Sequence, residues 1–329
     1  MWRTTQLWRS VRAHLGRWRP VALLLAWSIA LGPASLSHAQ AGPRNWQASV
    51  GGQTDNQAIQ ALAFFPLDLS VNVQDTVTWT WQTAEPHTVT FLAPNQLPPL
   101  APPPNNTPAT ANTTVNGTDF VNSGRKNRVG DTFTATFSTP GVFNYLCLVH
   151  PRTMTARVTV NPAGTPYPHS QAFFNRQGAA QLALILSDGR ELRQNGRDIA
   201  QIAGRDNVSA GAGDAEVFVA RFLPEQRRIR VGETVVWTNS DSITPHTVTF
   251  GPTPSNAAVG LDGPGHATIS SNPVTTTISS GLFGVGRDFT QFKVQFTVPG
   301  TYPYFCSLHS DLGMVGTIVV RPSNEPVDD

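Results

Sequence analysis

The chain has 329 residues, of which 40% are hydrophobic and 13% are charged, so a wholly disordered protein is excluded and one large or two ordinary domains are expected. The formal net charge is +2, but the charged residues are unevenly distributed. Residues 1–39 hold five Arg and no acid, which leaves 23 − 5 = 18 basic against 21 acidic residues from Gln40 onward. This slightly acidic body gives no electrostatic basis for nucleic-acid binding, so no nucleic-acid partner is expected.

The first 39 residues have the pattern of a secretory signal peptide. Its basic region carries Arg3, Arg9, Arg12, Arg17 and Arg19. An apolar run, Val21 to Leu31, leads to Ser37-His38-Ala39, and cleavage is predicted after Ala39 or, as a second choice, after Ala41. The run is shorter than the ~20 residues that an uncleaved membrane anchor needs. We therefore expect an exported mature protein, periplasmic or extracellular, with no integral membrane segment.

The remainder of the chain contains one sequence unit twice. The hexapeptide Pro-His-Thr-Val-Thr-Phe occurs at 86–91 and again at 245–250. The same offset of 159 residues separates His87 from His246 and Cys147 from Cys306. So long a period indicates duplication of a domain rather than a solenoid of short repeats. The predicted domains are 40–162 and 207–329, joined by a linker at 163–206.

Each copy has the sequence pattern of β structure. Apolar and polar residues alternate from Leu67 to Val73 and from Phe292 to Val298, as in strands with one buried face. Short strands and turns in units of roughly 120 residues predict an all-β fold, with one Greek-key β-sandwich in each of two tandem copies. The stretches 92–128 and 251–285 are expected to be long surface loops rather than binding lids.

One helix is expected, in the linker, over about Ser170 to Leu186. Its apolar residues could form one buried stripe: Phe173, Phe174, Leu182, Ile185 and Leu186. We expect this short helix to pack on a domain and to contribute no chemistry of its own.

Four residues that can bind a metal recur in each copy. The first copy has His87, Cys147, His150 and Met154, and the second has His246, Cys306, His309 and Met314. In both copies the upstream His precedes the Cys by 60 residues. Two His and one Cys with a weak axial Met form the ligand set of a blue-copper electron-transfer site, because thiolate and thioether favour Cu(I) while imidazole also accepts Cu(II).

The two cysteines could also serve roles that involve no metal. A buried free Cys is common, and Cys147 could pair with Cys306 in one disulfide in an oxidising compartment. The complete pattern recurs with an identical interval, however, and each Cys occupies the same internal place in its own copy. Two equivalent metal sites fit this arrangement better than one bridge. Zinc could occupy them in vitro, but an exported Cys-His-Met set favours copper.

In these residues both copies resemble the plastocyanin/azurin family of cupredoxins, over nearly all of 45–161 and 207–322. The resemblance implies a Greek-key β-sandwich with one type 1 copper in each domain, and outer-sphere electron transfer to or from redox partner proteins. It also implies that the eight residues named above are the copper ligands. The second copy has the plastocyanin-like spacing Cys-x2-His-x4-Met, and the first copy is one residue shorter between His150 and Met154.

Two other functions stay open at this point. Copper oxidoreductases of the nitrite reductase or multicopper oxidase kind also stack cupredoxin domains, but they need extra His ligands, commonly in His-x-His pairs. Beyond the signal and the four assigned His, only His169 and His266 remain, and the chain has no His-x-His. We therefore expect an electron carrier without catalytic residues. A copper buffering or delivery protein would use the same ligands, although three Met in the whole chain argue against a Met-rich chaperone.

Overall fold

The computed structural model describes residues 42–99, 108–214, 216–239, 241, 243–252, 264–284 and 290–325. The predicted signal peptide, 1–39, lies outside the described residues. The strands of the first copy are β1 (Asn45–Gln53), β2 (Ile59–Phe65), β3 (Asp68–Asn72), β4 (Thr76–Trp81), β5 (Thr90–Phe91), β6 (Thr114–Val115), β7 (Val121–Asn122), β8 (Thr132–Phe137), β9 (Gly141–Leu146) and β10 (Thr155–Asn161).

A helix, α1 (Gln171–Ala203), connects the two copies. The strands of the second copy are β11 (Asn207–Asp214), β12 (Val217–Leu223), β13 (Gln226–Arg230), β14 (Thr234–Thr238), β15 (Thr249–Phe250), β16 (His266–Ile269), β17 (Ile278–Ser279), β18 (Gln291–Phe296), β19 (Gly300–Phe305) and β20 (Val315–Arg321). A 3-10 turn, Ser310–Leu312, precedes β20. The stretches predicted as loops thus contain short strands, β6 and β7 in one copy and β16 and β17 in the other.

Each copy is a two-layer sandwich, which confirms the predicted fold. One layer of the first copy is the sheet β3-β10-β9-β5-β7, and its counterpart in the second copy is β13-β20-β19-β15-β17. The other layers join into one ten-stranded sheet, in the order β16-β18-β14-β11-β12-β2-β1-β4-β8-β6. The joint is an antiparallel pairing of β2 with β12, in which Phe218 lies opposite Gln60. We call this pairing the seam.

Burial along the strands follows from their place in the sandwich. In β4 the side chains of Val77, Trp79 and Trp81 are buried and alternate with half-exposed threonines, as expected for a sheet with one solvent-facing side. Strands β2 and β12 are instead buried at every residue. Their inner face packs in the sandwich cores and their outer face lies under α1. Pairing these two strands also removes two sheet edges that would otherwise be open to other chains.

Helix α1 begins where predicted but ends at Ala203 instead of near Leu186, so it is not short. The Ser170 side chain caps its first turn by accepting a hydrogen bond from the Phe173 N–H. Leu182, Ile185 and Leu186 of the predicted apolar stripe pack on the sheet at β2. Beyond them the buried positions are small residues, which let the helix continue across the seam onto β11 and β12.

Within the part of the chain that the structure describes, no helix combines the length and the apolar character required to span a bilayer.

Candidate metal centres

The first centre forms where the loop after β9 meets the start of β5. Cys147 directly follows β9, His150 lies in the turn behind it, and His87 lies just before β5 in a bridge with Lys126. The Nδ1 atoms of His87 and His150 are 3.2 Å apart, and they lie 3.7 and 3.8 Å from Cys147 Sγ. Cys147 and His87 are fully buried. Residues from two distant parts of the first copy thus present three donor atoms to one point.

The second centre repeats this arrangement after β19 and before β15. His246 Nδ1 and His309 Nδ1 are 3.1 Å apart, and they lie 3.9 and 3.4 Å from Cys306 Sγ. All three side chains are buried. Neither cysteine forms a disulfide, so the alternative of one bridge between them is not what the structure contains.

Backbone hydrogen bonds fix the two parts of each centre against one another. In the first centre the Thr88 N–H points at Cys147 Sγ, with 3.4 Å between the two atoms, while the Thr88 hydroxyl accepts a 2.8 Å hydrogen bond from the Leu148 N–H. In the second, Thr247 makes the same contacts with Cys306 Sγ, at 3.4 Å, and with the Ser307 N–H, at 2.7 Å. The donor atoms are therefore held by the fold itself.

The loop lengths differ between the copies, but Met154 and Met314 have matching backbone positions. Each Met carbonyl accepts a hydrogen bond from the Cys N–H, and each Met N–H donates to the carbonyl of the loop His. The extra residue of the second copy is absorbed by the 3-10 turn and by Gly313, whose φ of +83° is a left-handed conformation. Both Met side chains are fully buried in the same core cluster as the Cys of their copy.

A glycine with positive φ lets the backbone of the neighbouring strand approach each upstream His. A Cβ on Gly211 would lie 2.3 Å from His246 Nε2, and one on Gly51 would lie 2.9 Å from His87 Nε2. Contacts this short are not tolerated. The His246 imidazole therefore excludes a side chain at Gly211, and Thr83 Cγ2, at 2.3 Å, excludes one at Gly51 together with the His87 imidazole.

Two buried acids contact the centres, one in each copy, and they contact different His residues. In the first centre Glu85 Oε1 lies 3.4 Å from Nε2 of the loop residue His150. In the second, Asp241 Oδ2 lies 3.3 Å from Nε2 of the upstream residue His246. His87 Nε2, which corresponds to that position, is buried without a hydrogen-bond partner among the described residues. Neither acid is among the residues that the sequence pattern singles out.

The electrostatics of the first centre favour a thiolate. Burial raises the pKa of Cys147, but the hydrogen bond and charge of His150, with the Thr88 N–H, outweigh burial and leave the pKa lowered. Burial lowers the pKa of His150, but Cys147 and Glu85 overcome this and raise it to about 9. The pKa of His87 is well below its ordinary value because of burial and of the nearby cationic charge, so its imidazole is neutral.

The second centre also lowers the pKa of its cysteine, and here the His with the raised pKa is the upstream residue His246. Burial lowers the pKa of His246, but hydrogen bonds with Asp241 and Cys306 raise it to about 9. Burial raises the pKa of Cys306, but the charge of His309 and the hydrogen bonds with both His side chains bring it well below its ordinary value. Each centre therefore places one Cys sulfur between two His rings, and a bound metal would take the place of the proton that His150 or His246 holds. Thiolate and neutral imidazole are donor types that copper and zinc accept.

The spacing of the donor atoms fits a metal ion. An ion bonded to each nitrogen at ~2.1 Å and to sulfur at ~2.3 Å, with angles of about 100–120°, keeps the nitrogens ~3.2–3.6 Å apart and each nitrogen ~3.4–3.8 Å from sulfur. The six observed separations, 3.2, 3.7, 3.8, 3.1, 3.9 and 3.4 Å, lie within about 0.1 Å of these ranges. In both centres the three donors lie within 4.8 Å of one another.

Two further His among the described residues, His169 and His266, belong to neither cluster. The His169 ring stacks on Phe173 at 3.9 Å between centroids. His266 is exposed at the start of β16 rather than in a loop.

The family model described as copper binding proteins of the plastocyanin/azurin family matches residues 52–161 and 207–321. The chain is 31% identical to the chloroplastic plastocyanin of Tetradesmus obliquus over 165 residues, which are 50% of this chain and 96% of that protein. It is 32% identical to amicyanin-alpha of Methylorubrum extorquens over 114 residues, 34% of this chain and 76% of that protein. The solved structure of oxidised plastocyanin from Dryopteris crassirhizoma matches with a TM-score of 0.24 and 22% identity, over 35% of this chain and 99% of the other.

Proposed function

This chain belongs to the plastocyanin/azurin family of copper-binding proteins, and we propose that it is an exported electron carrier with one type 1 copper site in each of two domains, 40–162 and 207–329. The proposed ligands are His87, Cys147, His150 and Met154 in the first domain, and His246, Cys306, His309 and Met314 in the second. The observation that carries this proposal is the duplicated triangle of two Nδ1 atoms and one Sγ with the spacing of a metal site.

Copper bound at these residues would supply a one-electron couple. The protein's own contribution is a fixed and dry set of donors. The Thr88 and Thr247 N–H groups donate hydrogen bonds to the two sulfur atoms, and burial excludes water from both cysteines. Because the donors are held by strands and by closed backbone loops, a change in charge at the centre requires little rearrangement of the protein, which favours fast electron transfer over ligand exchange.

The assignment is tested by copper content and by the visible spectrum of the mature protein. We expect two coppers per chain and strong thiolate-to-copper colour, because the proposed set of four ligands occurs twice in the sequence. Cys147→Ser and Cys306→Ser should each remove one copper and its absorption, and the double variant should be colourless. His169→Ala is the matched control, since it removes a His outside both clusters and should leave copper and colour unchanged. Colour in the double Cys variant would contradict the assignment.

Copper buffering or delivery is the second function that the same ligands would serve. A reversible midpoint potential and fast electron self-exchange support the carrier, whereas rapid transfer of copper to an acceptor would support delivery. The burial of the two cysteines and of His87 and His246 favours the carrier, since a delivery site needs ligands that a partner can reach.

A further inference from the structure

The seam is built around one pair of equivalent residues. Gln60 of β2 and Phe218 of β12 occupy corresponding positions of the two copies and lie opposite one another. Their neighbours Ile59 and Val219 pack under α1, so Gln60 and Phe218 point to the inner face of the shared sheet. Both are fully buried. The Phe218 ring reaches the second centre directly, with 5.3 Å between its centroid and that of the His309 ring.

Gln60 reaches the first centre through hydrogen bonds. Its Oε1 accepts a 2.5 Å hydrogen bond from the Thr83 hydroxyl, and that hydroxyl accepts a 2.9 Å hydrogen bond from the Glu85 N–H. The Glu85 carboxylate lies 3.4 Å from His150 Nε2. A continuous line of buried contacts therefore joins a proposed ligand of one centre to a proposed ligand of the other.

We propose that the two metal centres exchange one electron within a single chain across the seam, along Phe218, Gln60, Thr83 and Glu85. This inference rests on the proposed function, because it requires copper at both centres. One centre is oxidised by losing the electron and the other is reduced by gaining it. No bond forms or breaks, no proton moves, and no further reactant takes part. The shared sheet keeps the separation of the centres constant, so the exchange is a property of the chain and not of an encounter.

The kinetic test starts from oxidised mature protein with copper at both centres, which is photoreduced with fewer electrons than there are chains. The redox state of each centre is then monitored over time through the absorption of that centre. We expect an equilibration phase whose rate is independent of protein concentration. Phe218→Leu should slow it several-fold by removing the ring at His309, and Thr83→Val should slow it by removing the hydroxyl that joins Gln60 to Glu85. The matched control is Phe222→Leu, which alters a buried Phe of the same strand that packs on Tyr304 at 4.6 Å and lies off the route.

Pulsed electron paramagnetic resonance of the fully oxidised protein gives a second readout that involves no turnover. Dipolar coupling between the two centres is expected, and it should vanish in Cys147→Ser and in Cys306→Ser. Equilibration that occurs only through collisions of chains, or the absence of coupling in a protein with two coppers, would overturn the inference and leave the proposed function standing. Equal rates in Phe218→Leu, Thr83→Val and Phe222→Leu would overturn the route. A chain that binds no copper would overturn the proposed function itself. Thr83→Val, nearly isosteric, carries the test if Phe218→Leu does not fold.

Discussion

Gly189→Ala tests whether α1 lies in direct contact with the seam. A Cβ at this position would lie 2.2 Å from Ile59 Cγ2 and 2.8 Å from Val217 Cγ2. Both atoms belong to β-branched side chains, which are stiff about χ1, and both residues are buried in adjacent strands of the sheet. Neither methyl group can swing aside as the end of a long side chain would. The helix must therefore move away from the sheet to admit one carbon atom.

The size of the effect follows from two opposing contributions. Overpacking a well-packed core costs about 1–3 kcal/mol, and two contacts below 3.0 Å place this site near the upper end, about 3 kcal/mol. Alanine in a helix interior is more favourable than glycine by about 1 kcal/mol. The net expectation is that Gly189→Ala lowers the free energy of unfolding by about 2 kcal/mol.

The helix supplies its own controls for a urea unfolding assay. In Gly178→Ala the nearest atom to the new Cβ is Phe65 Cβ at 3.2 Å, so the propensity gain should offset most of the strain. In Gly196→Ala it is Leu223 Cδ1 at 2.8 Å, the movable end of a flexible side chain, so an intermediate loss is expected. Close packing of α1 on the seam is contradicted if Gly189→Ala is as stable as Gly178→Ala or more stable than the unaltered protein.

Two further predictions concern the centres. Asp241→Asn removes the buried carboxylate that contacts His246 Nε2. Because the negative charge of that carboxylate favours Cu(II), its loss should raise the reduction potential of the second centre and leave that of the first centre unchanged. Spectroelectrochemistry measures both potentials. The mature protein should not reduce nitrite or couple phenol oxidation to dioxygen at enzymic rates, because both need a further metal with an open position; turnover that is lost in His169→Ala or His266→Ala would show the expectation to be wrong.

The ligand pattern could be predicted from the sequence because the same chemistry occurs twice at one interval. The two acids could not be found in that way. Glu85 stands two residues before His87, whereas Asp241 stands five residues before His246, and the two contact different ligands. An alignment of one copy with the other places them at different positions. Only the folded loops show that each copy brings one carboxylate to an imidazole.

The seam could not be predicted for a different reason. The segments Ile59–Phe65 and Val217–Leu223 are apolar on both faces, each with one polar residue. Such runs are typical of strands covered on both sides, but they do not say what covers them. The apolar stripe that predicts α1 ends at Leu186, whereas the helix continues to Ala203 through Gly189 and Gly196, two residues of low helix propensity. Their spacing of seven residues instead puts them on one face, where small size permits contact with the sheet.

The close contact of α1 at these glycines and the strand pairing at the seam both fix the distance between the two centres. Two domains on a flexible linker would approach and separate, and the distance between their centres would vary with time. Here β2 and β12 are hydrogen-bonded neighbours in one sheet, and α1 contacts both of them and lies directly on their junction at Gly189. Moving one centre relative to the other would require breaking the ladder and lifting the helix together. The proposed electron exchange therefore requires no movement of one domain toward the other. Because Gly189→Ala loosens the contact of α1 with the seam, it provides a way to perturb the seam without altering a ligand.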